Sequence, residues 1–284
     1  MGPIMTSDNT NLDALRREID EIDLRLLRAI AERTAVVRKV AAAKGGGPVL
    51  RPGREAGVIR RLLSGAETGL PAPVVGRIWR ELIAAYCRLQ GPLEVAVCAP
   101  EKSVGYWDLA RDHFGSGTRM TLHKSPAVTL RAVSETEGTV AILPLPQDGE
   151  SDPWWRFMTG RDGEPRVIGR LPFVDNPGAR FEDLHAMVVG RVPFDPSGDD
   201  ISWLVISTTV EISRRSIGDH LKALGFKGTA LASHNERGAG DLHLFEVDGL
   251  IAADEPKLAE FAKRVGGNAH VAVAGAFARP FARG

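Results

Sequence analysis

The chain has 284 residues, of which 43% are hydrophobic and 25% are charged, and its formal net charge at pH 7 is zero. This length allows two or three domains, and the composition is that of a globular protein rather than a disordered or fibrous one. No apolar run approaches the roughly 18 residues of a membrane span, and the first ten residues lack the pattern of a signal peptide, so we expect no membrane partner.

The charge is unevenly distributed along the chain. Residues 1–90 contain 15 Lys and Arg against 10 Asp and Glu, a net of +5, which leaves −5 for the remainder. Such asymmetry suggests separate domains with separate partners. A net of +5 with few aromatic residues is too modest for a nucleic-acid interface, and a small acidic substrate fits better. The two cysteines, Cys87 and Cys98, do not make a disulfide framework, so we expect a cytoplasmic protein.

A long amphipathic helix is predicted at the start of the chain. Its apolar side chains follow each other in steps of three and four, like the seam of a coiled coil: Leu12, Leu15, Ile19, Ile22 and Leu26. Thr10 with Asp13 resembles a capping box at its beginning, and the glycines after Lys44 end it. Because this helix exceeds thirty residues, we expect a partner helix to cover its seam.

Two shorter helices complete an all-helical region. One follows Pro52 and runs from about residue 54 to 63. The other begins in the prolines at 71 and 73, which suit a first helical turn, and ends at Gly91. A second heptad-like stripe lies on this third helix: Val75, Ile78, Leu82, Tyr86 and Leu89. We therefore predict an all-α three-helix domain over residues 1–92.

The hydrophobic pattern changes after Pro92. Short buried-type strands alternate with helices over the segments 95–98, 104–113, 120–122, 126–135 and 140–143. This βαβαβ order favours a small parallel sheet. A loop-rich stretch follows, and a further strand is predicted at 187–189. We assign residues 93–198 to this α/β region.

A different order is predicted for the end of the chain. Residues 193–200 have the composition of a linker. Strands and helices then alternate over 203–207, 213–224, 228–233, 242–247, 255–265 and 270–274. The resulting βαββαβ order is ferredoxin-like and defines a third region, residues 199–284, with α+β architecture.

The candidate functional residues are cations spread over the first helices. Arg33 and Lys44 are eleven residues apart, which on one helix is roughly 20° of rotation and about 16 Å of rise, so their side chains can lean toward one small molecule. Arg16 and Arg33 are seventeen residues apart, about 26 Å, and face different directions. They can meet on one ligand only if a second copy of the chain supplies one of them.

These residue types indicate a particular kind of site. Arg binds carboxylates bidentately, Lys is a compact donor, and Glu55 could accept a hydrogen bond from a substrate hydroxyl. No Ser-His or Cys-His nucleophile pair and no spaced set of metal ligands accompanies them, so we expect no metal. Binding and electrostatic stabilisation fit this set, and the competing interpretation is that each Arg is a solvated side chain of an amphipathic helix.

The first ninety residues resemble the all-helical class of chorismate mutases. The motifs that carry the resemblance are Leu12 to Asp20, Leu27 to Arg33, Lys44, Arg54-Glu55 and Arg88-Leu89-Gln90. The resemblance implies an intertwined homodimer in which Arg16 reaches into the partner subunit's site and binds a carboxylate of chorismate. Arg33 would act in the site of its own subunit.

The same resemblance implies roles for the other residues. Lys44 and Gln90 would hydrogen-bond the ether oxygen, Glu55 would bind the ring hydroxyl, and Arg54 would assist carboxylate binding. Chorismate would rearrange to prephenate in one pericyclic step that needs no cofactor, nucleophile or net proton transfer. The enzyme would hold the reactive conformer and stabilise charge on the ether oxygen.

Two positions depart from the family pattern. Arg51 stands where the family commonly has an acidic residue, and Tyr86 stands where it commonly has serine. Arg51 is harmless if its position acts through the backbone, and otherwise it adds a cation near the substrate. Tyr86 would narrow the pocket. Both departures concern substrate affinity more than reaction type.

The remainder resembles a degenerate prephenate dehydratase lobe followed by an ACT-like domain, the order of the bifunctional enzyme of aromatic amino-acid biosynthesis. The dehydratase motifs are replaced: the Gly-rich opening reads 99–103 APEKS, the next motif reads 144–147 PLPQ, and Leu184-His185-Ala186 stands at the catalytic motif. The ACT effector signature is replaced by 232–235 ASHN. We therefore predict a C-terminal half without dehydratase chemistry, serving as a scaffold or regulatory part.

Three other functions compete with the chorismate mutase interpretation. They are a bifunctional chorismate mutase–prephenate dehydratase, an isochorismate pyruvate lyase on the same helical fold, and a non-enzymatic sensor of aromatic metabolites. Lys44, Glu55 and Gln90 argue against the sensor, because a binding protein has no need for donors at the ether oxygen.

Overall fold

The computed structural model describes residues 7–65, 68–99, 105–176, 183–236, 240–266 and 268–282, without the side chains of residues 7–10 and 236. The chain divides into two compact units, residues 1–47 and residues 48–284. The predicted domain boundaries after residues 92 and 198 fall at neither edge of these units and stay predictions. No helix in the described part of the chain is long and apolar enough to cross a membrane.

The first unit consists of helix α1, Ser7–Lys44, followed by glycines with positive φ. Thr10 lies inside this helix, so the predicted N-cap at Thr10 is wrong. The predicted apolar stripe is confirmed as continuous and exposed: Leu12, Leu15, Ile19, Ile22, Leu26 and Ile30. A stripe of this length in water is unfavourable and is typical of a surface that another helix covers.

The second unit begins with helices α2, Pro52–Gly65, and α3, Ala72–Gln90. Both confirm the predicted helices, with Pro71 at the N-cap of α3 and Gly91 after its end. The stripe predicted for α3 is only partly buried, since Ile78 and Leu89 are exposed. The buried face runs instead through Ala72, Val75, Gly76, Arg80, Ile83, Ala84, Tyr86 and Cys87.

The α/β region follows as predicted, with parallel pairing of its first three strands. Its elements are β1 (Glu94–Cys98), α4 (Gly105–Phe114), β2 (Arg119–His123), α5 (Pro126–Glu135) and β3 (Thr139–Pro144). Strand β1 lies between β2 and β3 and is parallel to both. The helices supply the crossovers that parallel pairing requires.

Two more strands extend this sheet on the β3 side: β4 (Arg166–Leu171) and β5 (Ala186–Gly190). Strand β5 is antiparallel to both β3 and β4. Strand β5 was predicted and β4 was not. The sequence of β4 is interrupted by Gly169, where the register with β5 shifts, so the run lacks the regular alternation of a strand.

The last region has the predicted ferredoxin-like order. Its elements are β6 (Asp200–Thr208), α6 (Arg214–Ala223), β7 (Gly228–Glu236), β8 (Gly240–Asp248), α7 (Pro256–Val265) and β9 (His270–Ala278). The strands of both regions form one sheet, which among the described residues has nine strands in the order β2-β1-β3-β5-β4-β9-β6-β8-β7. The fold is therefore multidomain in type, with three helices followed by α/β and α+β regions.

Strands β4 and β9 join the two parts of this sheet at Val167 and Gly275. A Cβ on Gly275 would lie 2.1 Å from the Val167 carbonyl oxygen, and its φ of 147° is one that side-chain-bearing residues rarely adopt. Glycine is thus required for the close approach of the strands. The two parts of the sheet can pair here because Gly275 has no side chain.

One hydrophobic cluster extends from α2 and α3 into the sheet. It contains Ala56 and Ile59 of α2, Ile83 and Cys87 of α3, and strand residues such as Ile168. Helices α2 and α3 therefore bury their apolar faces against the C-terminal region and share a core with it. Cys87 and Cys98 are both buried, and neither forms a disulfide with another cysteine of the described residues.

Candidate active site

The three predicted site residues of the first unit lie on one continuous helix, α1. Arg16 is exposed, and its Nη1 donates to Asp13 Oδ1 at 3.1 Å. Arg33 is half-buried, and Lys44 is exposed in the last turn, where the helix dipole favours a cation. Because α1 is uninterrupted, the separation that the sequence predicts between Arg16 and Arg33 applies, and one copy of α1 cannot place both on a small ligand.

Glu55, in the first turn of α2, is the most firmly held of the predicted residues. Its Oε2 accepts from Arg80 Nη1 at 3.0 Å, and its Oε1 accepts from the Arg51 main-chain N–H at 3.0 Å. Only 12% of the Glu55 side chain is exposed. The first turn of a helix favours a carboxylate, because its free N–H groups point toward it.

Arg80, on α3, is the buried partner of Glu55. Its side chain is 7% exposed, and its guanidinium carbon lies 5.2 Å from the centre of the Phe173 ring. Burial lowers the pKa of Arg80, while the charge of Glu55 acts in the opposite direction. An arginine keeps its proton under such conditions, so Arg80 and Glu55 form a buried ion pair with a cation–π contact on the other side.

Arg51 forms an ion pair with an acidic residue of the C-terminal region. Its Nε and Nη2 donate to the two carboxylate oxygens of Asp195, the second at 2.9 Å, and this hydrogen bonding raises the pKa of Arg51. The main chain is equally close, since a Cβ on Gly53 would lie 1.7 Å from the Asp195 carbonyl oxygen. The guanidinium of Arg51 thus binds the protein itself.

A second arginine attaches α2 to the same segment. Arg60 Nη1 donates to Ser197 Oγ at 2.8 Å, and its Nη2 donates to the carbonyl oxygens of Asp199 and Arg279. The sequence predicts a linker over residues 193–200, and this segment contains no helix or strand before β6 begins at Asp200. These residues connect β5 to β6 while bound along α2 through Asp195 and Ser197.

The remaining predicted residues lie on α2 and at the end of α3. Arg54 is exposed, Tyr86 is buried, and Gln90 is half-buried. Gln90 Nε2 donates to the Tyr86 carbonyl oxygen at 3.0 Å, one turn back on α3. A primary amide has a second N–H and an oxygen, so Gln90 retains a donor for a ligand.

The structure therefore brings together some of the predicted residues and leaves others separate. Glu55 is bonded to the main chain of Arg51, and Gln90 is bonded to Tyr86. Arg16, Arg33 and Lys44 belong to the first unit, which is described by itself. Their predicted convergence with the residues of α2 and α3 remains a proposal.

A small cavity lies beside the Glu55–Arg80 pair. Its volume is about 30 Å³, and its wall includes Glu55, Arg80, His113, Arg170 and Phe173. Burial, and secondarily the charge of Arg80, hold the pKa of His113 well below its usual range. A space of this size is large enough for a water molecule.

Sequence reasoning missed Arg80, Phe173 and Asp195. Arg80 had one available signal, because it lies four residues after Gly76 and four before Ala84 on a face of small residues. A charged residue on such a face indicates a buried partner. Phe173 and Asp195 gave no comparable signal, since each contacts α2 or α3 from a segment more than ninety residues away in the chain.

The replaced motifs of the C-terminal half are placed in ordinary structural positions. His185 is half-buried just before β5, and residues 232–235 lie within β7, where Ser233 Oγ is 2.8 Å from His243 Nδ1. Residues 100–103 of the replaced Gly-rich opening lie outside the described part of the chain. Among the described residues, no group of three or more His, Cys, Asp or Glu could hold a metal ion.

Comparison with known proteins adds independent information on the helices. The family model described as chorismate mutase type II matches residues 15–91. A bifunctional chorismate mutase/prephenate dehydratase from Pseudomonas aeruginosa is 30% identical over 151 residues, which cover 51% of this chain and 41% of the relative. A protein of the same description from Neisseria gonorrhoeae is 34% identical over 100 residues, covering 35% and 27%.

The solved structure of prephenate dehydratase from Staphylococcus aureus is similar with a TM-score of 0.48 at 10% identity, covering 65% of this chain and 100% of that one. The chain spans less than half the length of the curated relatives it matches. The alignment with the P. aeruginosa relative covers more residues than the chain has up to position 91, so it also includes part of the α/β region. The helical segment of this chain, residues 15–91, is a chorismate mutase type II domain.

Proposed function

We propose that this protein is an isomerase, a chorismate mutase that rearranges chorismate to prephenate in aromatic amino-acid biosynthesis. The observation that carries the proposal is the match of residues 15–91 to the chorismate mutase type II family. That segment contains every residue for which the sequence predicts a role, from Arg16 to Gln90.

The proposed chemistry depends on positioning and charge. Arg33 and Arg54 bind carboxylates of chorismate, because guanidinium groups pair with carboxylates bidentately. Lys44 and Gln90 donate to the ether oxygen, where negative charge increases as its bond to the ring breaks. Donors placed there before the reaction stabilise the transition state more than the ground state.

Glu55 is proposed to accept the hydrogen bond of the ring hydroxyl. A carboxylate has about four acceptor positions, and two of those on Glu55 are used by Arg80 and by the Arg51 main chain. The remaining positions suffice for one hydroxyl. Arg51 is proposed to hold α2 rather than to contact the substrate, because its guanidinium already binds both oxygens of Asp195. Tyr86 is proposed to limit the pocket by its volume.

We further propose a homodimer in which Arg16 of one copy enters the site of the other. The exposed apolar stripe of α1 supports this arrangement, since residues such as Ile19, 57% exposed, gain from burial against a second helix. The separation of Arg16 and Arg33 along α1 supports it independently. The cytoplasmic location expected from the sequence belongs to the same proposal.

The C-terminal half is proposed to be a scaffold or regulatory part without dehydratase chemistry. The replacement of the expected catalytic motif by Leu184-His185-Ala186 supports this. Its attachment to α2 through Asp195 and Ser197 gives it a structural task.

Product analysis tests the proposal. Purified protein is incubated with chorismate, and the products are identified by chromatography. We expect prephenate alone. Phenylpyruvate would instead support the bifunctional alternative, which the descriptions of the curated relatives favour.

A parallel incubation with isochorismate covers the lyase alternative. Release of pyruvate from isochorismate, with no prephenate from chorismate, would replace the mutase by a pyruvate lyase. Binding of chorismate without turnover of either substrate would leave the sensor interpretation.

A further inference from the structure

The Glu55–Arg80 pair combines side chains from two helices with an aromatic ring from the C-terminal region. Glu55 lies on α2 and Arg80 on α3, while the aromatic ring against Arg80 comes from Phe173, between β4 and β5. The ring is buried in the cluster that α2, α3 and the sheet share. Three separate parts of the chain thus meet at the Glu55–Arg80 ion pair.

We propose that Arg80 is a positioning residue for Glu55, and that Phe173 of the C-terminal region holds Arg80 in place. The dehydratase-like half thereby completes the mutase site without performing chemistry. This inference rests on the proposed function, because Glu55 is the group that it assigns to the ring hydroxyl of chorismate.

The geometry supports action through Glu55 rather than direct contact with substrate. Arg80 Nη1 donates to Glu55 at 3.0 Å, and the whole residue is 6% exposed. Its guanidinium faces the Phe173 ring, so one side of the group is covered by aromatic carbon. A guanidinium enclosed in this way affects the substrate only through the carboxylate it binds.

Rigid donors make Glu55 a preorganised acceptor. One donor is a main-chain N–H and the other is a buried guanidinium, and neither is free to move as an exposed Lys or Arg would be. Fixing both oxygens sets the direction of the remaining lone pairs before substrate binds. Preorganisation of this kind contributes to rate because no group has to be reoriented during the reaction.

Phe173 contacts arginines from both helices. The guanidinium carbon of Arg80 lies 5.2 Å from the ring centre, and that of Arg60 lies 5.7 Å from it. Cation–π contacts are stronger when the cation is removed from water, as Arg80 is. The ring therefore links the C-terminal region to the pair that supports the site.

The first test compares two substrates in the full-length protein. With chorismate, we expect Arg80→Met to lower kcat/KM by about 10- to 100-fold, the range for losing a hydrogen bond to a charged group, and Arg80→Lys to lower it less. With an analogue that lacks the ring hydroxyl, both variants should be within about two-fold of wild type. Equal losses on the two substrates would overturn the proposal, because a merely structural role affects both alike.

Arg80→Met leaves Glu55 without its cation, and the variant could lose activity by misfolding. A double-mutant cycle with Glu55→Gln distinguishes this from loss of the positioning role. In the Glu55→Gln background the carboxylate charge is absent, so removing Arg80 leaves no unpaired buried charge. We expect Glu55→Gln and Glu55→Gln/Arg80→Met to have the same kcat/KM within about two-fold. A further loss of ten-fold or more in the double variant would show that Arg80 acts independently of Glu55.

Phe173→Leu tests the contribution of the C-terminal half. Its matched control is Phe157→Leu, because the Phe157 ring has a similar contact, with the guanidinium carbon of Arg156 4.6 Å from its centre, but is exposed. We expect Phe173→Leu to lower kcat/KM for chorismate about three- to ten-fold, the range of a cation–π contact, and to spare the analogue without the hydroxyl. Equal effects of the two substitutions would remove Phe173 from the proposal.

A binding measurement separates failure of this inference from failure of the proposed function. Calorimetry is performed with a bicyclic ether dicarboxylate that mimics the transition state, with and without its hydroxyl. Arg80→Met should weaken binding only of the hydroxylated compound. If wild type makes no prephenate, the proposed function fails. If wild type is active and Arg80→Met weakens both compounds equally, the positioning role fails alone.

Discussion

Helix α1 differs from α2 and α3 in how its side chains are held. On α1 the apolar stripe is exposed, and Arg16 forms a local ion pair with Asp13, one turn away on the same helix. On α2 and α3 the apolar face is buried against the sheet, and Arg51, Arg60 and Arg80 bind groups far away in the sequence. The comparison teaches that one chorismate mutase type II segment contains two kinds of helix. One kind packs against the rest of its own chain, and the other has an exposed apolar stripe, where we propose that a second copy binds.

The largest expected effect concerns the two proposed donors to the ether oxygen, one on each kind of helix. Lys44→Ala on α1 and Gln90→Ala on α3 should each lower kcat by about 10²- to 10³-fold, the usual loss for one donor at a developing negative charge. Initial rates of prephenate formation measure both. Equal losses would show that both kinds of helix contribute to one site.

Lys39→Ala is the matched control for this experiment, because Lys39 is exposed on α1 five residues before Lys44. It should retain the wild-type rate. If Lys44→Ala and Gln90→Ala also keep wild-type rates in folded protein, the assignment of the site is wrong.

The next effect tests whether α1 serves a second copy. Arg16→Ala and Lys44→Ala are each expected to be nearly inactive. In a mixed dimer, however, one site combines Lys44 of the first variant with Arg16 of the second. Refolding an equal mixture should restore about a quarter of the wild-type activity, because about half of the dimers are mixed and each has one intact site.

The absence of recovery would contradict the exchange of Arg16 between copies. Light scattering on the mixture verifies that dimers form, so that lack of recovery is not lack of assembly. A mixture of Arg33→Ala and Lys44→Ala is the control. It should stay inactive, since both residues are assigned to the site of their own subunit.

A smaller effect is expected on the pH dependence of stability, through a histidine of α4 that lies close to α3. His113 of α4 has a pKa far below its usual range because it is buried near Arg80. In the unfolded chain the imidazole of His113 binds a proton near pH 6.5, and in the folded chain it stays neutral at that pH. The free energy of unfolding is therefore unaffected by His113 well above pH 6.5 and falls as the pH decreases below it. Between pH 7.5 and 5.5 the loss should be about 1.4 kcal/mol.

Thermal unfolding at the two pH values measures this loss, and His113→Gln should reduce it. The variant should retain part of the dependence, because burial also lowers the pKa of His243. His270→Gln, at an exposed position of β9, is the control and should behave as wild type. A larger pH dependence in His113→Gln than in wild type would contradict the burial argument.

Periodicity and turn residues made much of the fold predictable. The three helices, the parallel strands β1 to β3 and the ferredoxin-like order follow from local patterns that the structure confirms. Strand β4 was missed because Gly169 interrupts it. The buried face of α3 was mispredicted because it is set by residues of the sheet, which local periodicity does not contain.

The candidate site likewise has features that the sequence predicts and features that it does not. Resemblance to a family predicts roles for Glu55 and Gln90 from short motifs; the match over residues 15–91 confirms the family of the segment, and the roles stay predictions. Nothing local indicated that Glu55 binds Arg80, or that Arg51 binds Asp195, 144 residues away. Residues this far apart in the sequence are brought together by the tertiary fold. Their contacts determine which charged side chains already bind another part of the protein.

The smallest expected effect tests the attachment of α2. Arg51→Ala and Asp195→Ala should each lower the free energy of unfolding by about 0.5–1 kcal/mol, because the Arg51 side chain is 42% exposed and water screens the pair. The double variant should lose no more than either single one, as expected for two residues in a single interaction. Urea denaturation with both midpoint and slope gives these values.

Arg54→Ala is the control on the same helix. Arg54 is exposed, so its removal should change stability by less than about 0.5 kcal/mol while raising KM for chorismate. Arg51→Ala should do the reverse, because its guanidinium binds Asp195 and its main chain, which the substitution keeps, binds Glu55. If Arg51→Ala raises KM as strongly as Arg54→Ala and leaves stability unchanged, Arg51 contacts the substrate. The contrast between α1 and α2 would then be smaller than the structure indicates.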